Sequence, residues 1–190
     1  DVLFLILKLT KLWELMLKYL DTAIGFQEVP NEVAFCINIT NCPCQCKGCH
    51  SPELSQDIGN DLTVHEILKF KCIYGDGITC ICLMGGDSDP AYINEMAKVI
   101  KGGDISKEAY TQDGDKPFKC AWYSGRQYLP DEIDLKNFDY IKIGPYIEKL
   151  GPLNNPNTNQ QFFRIDHCES KDFIVDITST FWLNGPNSFK

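Results

Sequence analysis

The chain is 190 residues long, 44% hydrophobic and 23% charged, enough for one globular domain with a core of its own. Its formal net charge of −8, with acidic residues spread along the chain, excludes a nucleic-acid backbone as the main partner. Ten cysteines in a chain with this much apolar content speak against a small disulfide scaffold and for reduced thiols beside a metal-binding loop.

Residues 1–17, DVLFLILKLTKLWELML, are apolar but interrupted by Lys8, Lys11 and Glu14. The run is too short and too charged to span a bilayer, and its features come in the wrong order for a signal peptide. The expectation is a leader outside the native protein, with Met16 as the true start, followed by a single domain over residues 18–190. The alternative is a genuine extra helix packed on that domain.

Residues 33–39, VAFCINI, are β-branched and apolar up to Thr40-Asn41 and read as a buried strand leading into a cysteine-rich loop. Thr63 as N-cap with Glu66 three residues later forms a capping box that opens a helix to about residue 71. Residues 78–84, ITCICLM, are a second apolar run ended by Gly85-Gly86-Asp87, and residues 90–100 carry apolar side chains at helical spacing. FKCAWY at 118–123 and YIKI at 140–143 read as third and fourth strands, ended by Ser124-Gly125 and Gly144-Pro145. Beyond a turn-rich stretch after Gly151, residues 161–165 and 173–178 suggest a C-terminal antiparallel hairpin or edge. Repeated βα units predict an α/β fold with a mostly parallel sheet, whose site lies at the carboxyl ends of the strands. The glycine and cysteine signals all fall there. Cys36, Cys80, Cys82 and Cys120 sit inside the apolar runs and read as small buried hydrophobes.

Four cysteines, Cys42, Cys44, Cys46 and Cys49, lie within CPCQCKGC. Thiolates are soft ligands suited to zinc, copper(I) or iron–sulfur clusters. A zinc ribbon needs a second pair of ligands, commonly about 12 to 20 residues on. Counting from Cys49 finds His65 alone, then Cys72 and a Cys80/Cys82 pair inside a core strand. The partition Cys42-x3-Cys46-x2-Cys49 instead gives three ligands, one short of a closed [4Fe–4S] site, and leaves Cys44 as an exposed spacer or, less simply, an alternative ligand.

CxxxCxxC in a loop after the first strand of a βα protein resembles the signature of the radical S-adenosylmethionine superfamily. Within it, NITNCPCQCKGCHSPEL is similar to the activating proteins of anaerobic ribonucleoside-triphosphate reductase, as are MGGDSDP at 84–90, WYSGR at 122–126, DYIKIGPY and NTNQQFFR. The resemblance runs from Tyr19 to about Trp182. It implies a partial (βα) barrel in which Cys42, Cys46 and Cys49 bind three irons of one [4Fe–4S] cluster while the fourth iron takes S-adenosylmethionine. One-electron reduction then cleaves the sulfonium and releases a 5′-deoxyadenosyl radical, which abstracts hydrogen from a glycine of the partner reductase. The enzyme would be an oxidoreductase whose chemistry rests on the cluster and cofactor, with no separate catalytic side chain.

The resemblance places S-adenosylmethionine against Gly48, Cys49 and His50 and against Gly85, Gly86 and Asp87. Glycines there permit close backbone approach, and Asp87 either accepts from the methionine amino group or caps the next helix. Ser124 is a further candidate for cofactor contact, the alternative being simple termination of its strand, with Lys142 and Tyr146 behind it. The implied partners are the reductase and a flavodoxin- or ferredoxin-type reductant, in the cytoplasm, with no membrane or nucleic acid involved. Alternatives are an activase of another glycyl-radical enzyme, a small-molecule radical enzyme, or a non-enzyme zinc or ferredoxin-like module.

Overall fold

The computed structural model describes residues 16–102, 118–168 and 171–182. Residues 1–15 of the expected leader lie outside them. Among the described residues are eight strands: β1 (Lys18–Gly25), β2 (Ala34–Ile39), β3 (Asn60–Asp61), β4 (Cys80–Met84), β5 (Lys119–Tyr123), β6 (Tyr140–Ile143), β7 (Gln161–Asp166) and β8 (Phe173–Asp176). Two helices, α1 (Val64–Tyr74) and α2 (Pro90–Ile100), follow β3 and β4. No helix among the described residues is long and apolar enough to cross a membrane.

All eight strands join one sheet in the order β3-β1-β2-β4-β5-β6-β7-β8. The fold is α/β, but the expectation of a mostly parallel sheet is not met. Pairing is parallel from β2 through β4 and β5 to β6, and antiparallel at the four remaining contacts. A parallel neighbour needs a crossover of a dozen or more residues, whereas an antiparallel one can follow a short link; the links from β1 to β2 and from β7 to β8 are short, while β6 and β7 pair antiparallel across a longer connection. The β7–β8 pair supplies the C-terminal antiparallel hairpin.

The Thr63 cap follows the sequence; the reciprocal Glu66 bond and an Asp87 cap on the second helix do not. The Thr63 hydroxyl accepts from the Glu66 backbone N–H at 3.2 Å, while the Glu66 carboxylate takes the Tyr19 hydroxyl at 3.1 Å rather than closing the box. Helix α2 begins at Pro90, where a missing N–H costs nothing, and Asp89 caps it by accepting from Tyr92 N at 3.0 Å.

Both helices pack on one face of the sheet, where Ile67 and Phe70 of α1 and Ile93, Met96, Ala97 and Ile100 of α2 meet Phe35, Ile37, Ile81, Leu83 and Trp122. Each such side chain taken fully out of water contributes about 1.5–3 kcal/mol before entropy is counted. Leu17 belongs to this core: it is buried, and its carbonyl accepts from Leu62 N at 2.7 Å. The core therefore includes Leu17, the last residue of the segment 1–17. On the opposite face the strands present small side chains, Ala34, Cys36, Cys80, Cys82 and Ala121, against the rings of Tyr140 and Phe162. The four thiols of the apolar runs, Cys120 included, are all buried.

The amino-terminal ends of the parallel strands are tied by charge. Glu32, buried in the turn before β2, accepts from Lys119 Nζ at 2.5 Å and from the Tyr140 hydroxyl at 3.0 Å.

Candidate metal and cofactor site

The parallel register brings Ile39, Met84, Tyr123 and Ile143 to one end of the sheet, so the segments that follow them converge. A cavity of about 340 Å³ opens there, lined by Asn38 and Ile39 of β2, by Cys42, Gln45, Cys46 and Cys49 of the loop, and by Met84, Gly85 and Tyr123. Ser51, Pro52, Leu54 and Ser55, in and beside a 3-10 turn, close one side. The loop is held to this turn through backbone bonds from Asn41 N to Gln56 O and from Cys42 N to Leu54 O, each 2.9 Å.

Burial alternates along the loop. Cys42, Cys44 and Cys46 are half-buried while Pro43, Gln45 and Lys47 are exposed, as is Cys49. A turn closed by Cys49 N donating to Cys46 O at 3.1 Å brings the last two cysteines round. Cys44 does not line the cavity. Its sulfur lies 3.8 Å from Asp87 Oδ2, and the ligand atoms of Cys42, Cys44 and Asp87 all fall within 4.8 Å of one another. The one proton of Cys44 thus has two acceptors in reach. Offered to Cys42, it brings that thiol down to about 6 against the opposing effect of burial. Cys44 itself is pushed up by the same bond, by burial and by the Asp87 charge.

Asp87 is the hub of the site. Only 1% exposed, it accepts from the Ser124 hydroxyl at 2.6 Å and from Gly125 N at 3.0 Å, and Arg126 Nε stands 3.6 Å from Oδ1. Arg126 also donates from its guanidinium to the Asp87 carbonyl. The carboxylate therefore clasps the end of β4 to the end of β5, and it is Asp89 that caps α2. Ser124, equally buried, is committed to Asp87 through its hydroxyl and accepts from Arg126 N at 3.0 Å. Beneath them, buried Lys142 donates to the carbonyls of Ser124 at 3.3 Å and Gly144 at 2.7 Å. Burial lowers its pKa to about 8, although Asp87 and the loop thiols pull it upward.

The two glycines after β4 differ in what they face. Gly85, at φ +100°, lines the cavity, and its carbonyl accepts from the Trp122 indole N–H at 2.7 Å. Gly86, at φ +82°, turns the other way: a Cβ there would meet Ile93 Cδ1 at 2.3 Å and Leu17 Cδ1 at 3.2 Å. What needs the missing side chain at 86 is the packing of α2, so the close approach expected of a cofactor is made by the protein itself. Gly48 and His50 lie outside the cavity wall, both exposed and both against Tyr146. The His50 and Tyr146 rings are 5.2 Å apart, edge to face.

Of the sequence-derived site residues, the structure gathers Cys42, Cys46, Cys49 and Gly85 around one cavity. Asp87 and Ser124 form the buried clasp beside it, and Gly48, His50 and Gly86 face elsewhere. Residues not singled out in the sequence are Asn38, Leu54, Met84, Tyr123 and Arg126. The first four look like ordinary core or turn residues, and only the placing of Arg126 one residue after Ser-Gly hinted at a role.

Cys42, Cys46 and Cys49 line this cavity together with Gly85, and thiolates are ligands for soft metals; among the described residues, the potential ligand atoms within 4.8 Å of one another are those of Cys42, Cys44 and Asp87. No family model, curated protein or solved structure matches the chain.

Proposed function

We propose that the chain is an activating enzyme of the radical S-adenosylmethionine type that installs a glycyl radical on an anaerobic ribonucleoside-triphosphate reductase. The observation that carries this is the division of the four loop cysteines: Cys42, Cys46 and Cys49 share the cavity with Gly85, and Cys44 does not. Three thiolates are the donor set that leaves one iron of a [4Fe–4S] cluster without a protein ligand. The parallel strand ends that build the cavity fit the central part of a partial (βα) barrel.

In this reading Cys42, Cys46 and Cys49 hold the irons. A cluster held there and reduced by a flavodoxin- or ferredoxin-type donor would supply the one-electron chemistry of sulfonium cleavage, directed at hydrogen abstraction from the partner's glycine. The chain's own residues do the rest. Gly85, fixed by Trp122, would present bare backbone to a bound cofactor, while Ile39, Leu54, Met84 and Tyr123 line the cavity with apolar surface that would exclude water. The Asp87 clasp holds the β4 and β5 ends at the spacing this requires. The acidic chain would work in the cytoplasm with a protein substrate.

A second reading has its own observation: Cys42, Cys44 and Asp87 lie close enough to share a single ion. It is the poorer fit, because a closed zinc site takes four ligands and both Asp87 oxygens already accept hydrogen bonds.

Anaerobic reconstitution separates the two. About four irons per chain, with a change in the EPR spectrum of the reduced protein on adding S-adenosylmethionine, supports the enzyme. Cys46→Ala should abolish both iron uptake and cofactor cleavage, and incubation with the candidate reductase should yield a glycyl doublet in the wild type alone. One zinc per chain, lost in Cys44→Ala and kept in Cys46→Ala, refutes the enzyme reading.

A further inference from the structure

The third cysteine of the loop by position from its end, Cys44, has a place built for it. Gly125 stands at the end of β5 with no side chain, and a Cβ there would come within 2.7 Å of Cys44 Sγ and 3.1 Å of Cys44 Cβ. The same imaginary Cβ would be 3.7 Å from Asp87 Oδ2. The Cys44 sulfur therefore occupies the space that Gly125 leaves open, with the buried Asp87 carboxylate as one wall, 3.8 Å away. Gly125 itself is fixed from below, its N–H held by Asp87 at 3.0 Å.

We propose that Cys44 is the positioning residue of the loop, a key whose sulfur seats in the Gly125–Asp87 notch so that Cys42 and Cys46, two residues to either side, turn together into the cavity. The argument is steric. Cys42, Cys44 and Cys46 are the half-buried positions of the loop, and an untethered loop of this composition has many rotations about its own length. Seating the middle side chain against β5 selects one of them. Proline at 43 stiffens the approach, and the backbone bond from Cys42 N to Leu54 O fixes the other side. The assignment of Cys42, Cys46 and Cys49 as iron ligands rests on the function proposed above; the seating of Cys44 does not.

Gly125→Ala tests the notch without altering any cysteine, since nothing about the Gly125 backbone requires glycine and the added methyl meets Cys44 first. In the metal-free, reduced full-length chain, alkylation of each loop cysteine by iodoacetamide is followed by mass spectrometry. Cys44 should react more slowly than Cys46 and Cys49 in the wild type, and Gly125→Ala should speed it about tenfold, the scale expected of overpacking one methyl group. The same protein is then reconstituted with iron and sulfide. Gly125→Ala and Cys44→Ala should each lower iron per chain, whereas the double variant should recover most of what Gly125→Ala loses, because the alanine methyl at 125 fills the space vacated by the sulfur. Helix content by circular dichroism shows that each variant is folded, and Cys44→Ser, which keeps a polar atom in the notch, should load better than Cys44→Ala.

An unchanged Cys44 alkylation rate in Gly125→Ala overturns the proposal. So does a double variant whose iron loss compounds the two single losses. A wild type that takes up no iron, but whose Cys44 is protected and then released by Gly125→Ala, upholds the seating and refutes the iron assignment instead.

Discussion

Replacing Asp87 by alanine measures how much the clasp between β4 and β5 is worth. Two hydrogen bonds to a buried carboxylate are removed, from Ser124 Oγ at 2.6 Å and from Gly125 N at 3.0 Å. A bond to a charged group contributes about 1.5–3 kcal/mol, and a buried donor left without a partner costs about 1–3 kcal/mol. The Arg126 pair adds little, below about 1 kcal/mol, since that side chain is 40% exposed and its charge is screened by water. Ser124 keeps one partner through Arg126 N, which limits its penalty. The expected loss for Asp87→Ala is therefore about 3–5 kcal/mol. Asp87→Asn should cost less, about 1–2 kcal/mol, because the amide oxygen can still accept from Gly125 N while its NH₂ donates to the Ser124 hydroxyl. Urea unfolding of the reduced, metal-free chain reads both losses as shifts of the midpoint at constant slope. An alanine variant within about 1 kcal/mol of wild type, or an asparagine variant as costly as alanine, would refute the account of Asp87 as a structural clasp.

Gly86→Ala should destabilise by about 2–4 kcal/mol, since its Cβ would meet Ile93 at 2.3 Å and its φ is +82°. Thermal unfolding should show that loss and its partial relief when Ile93→Val is added; a variant as stable as wild type would return Gly86 to the list of ligand-facing residues. Glu32 supplies the pH dependence. Burial pushes its pKa up, but bonds from Lys119, Thr79 and Tyr140 outweigh this and leave it lowered from the ordinary 4.5. Its contribution is thus complete above the unfolded value and is lost as pH falls through the lower folded value. Stability measured from pH 6 down to about 3 should fall less steeply in Glu32→Gln than in wild type, and parallel curves would contradict that sign.

The elements legible in the sequence were those buried on both faces. β2, β4, β5 and β6 are continuous apolar runs because helices cover one side and aromatic rings the other. The strands that escaped notice lack that signal: β1 mixes Lys18, Asp21 and Thr22 with half-exposed positions, and β3 is the dipeptide Asn60-Asp61. With them went the two antiparallel pairings that β1 makes, to β2 and to β3. In the site, spacing singled out Cys42, Cys46 and Cys49, because ligand spacing is a local property. The roles of Asp87, Ser124 and Gly125 are not local. They arise from the register that sets Met84 beside Tyr123, and no pattern within either segment announces it. Gly86 shows the converse, a glycine whose motif suggested a ligand and whose neighbour is Ile93.

The Glu32 cluster and the Asp87 clasp sit at opposite ends of the same strands, joined through β5, which starts at Lys119 and stops at Tyr123. Lys119 and Tyr123 are about 13 Å apart along the strand. The charges that shift Cys42, Cys44 and Lys142 are those of Asp87 and the loop thiols, at the far end from Glu32. The molecule can gain or lose robustness through Glu32, Lys119 and Tyr140 while the cysteine loop keeps its chemistry, so that durability and reactivity are free to diverge under separate selection.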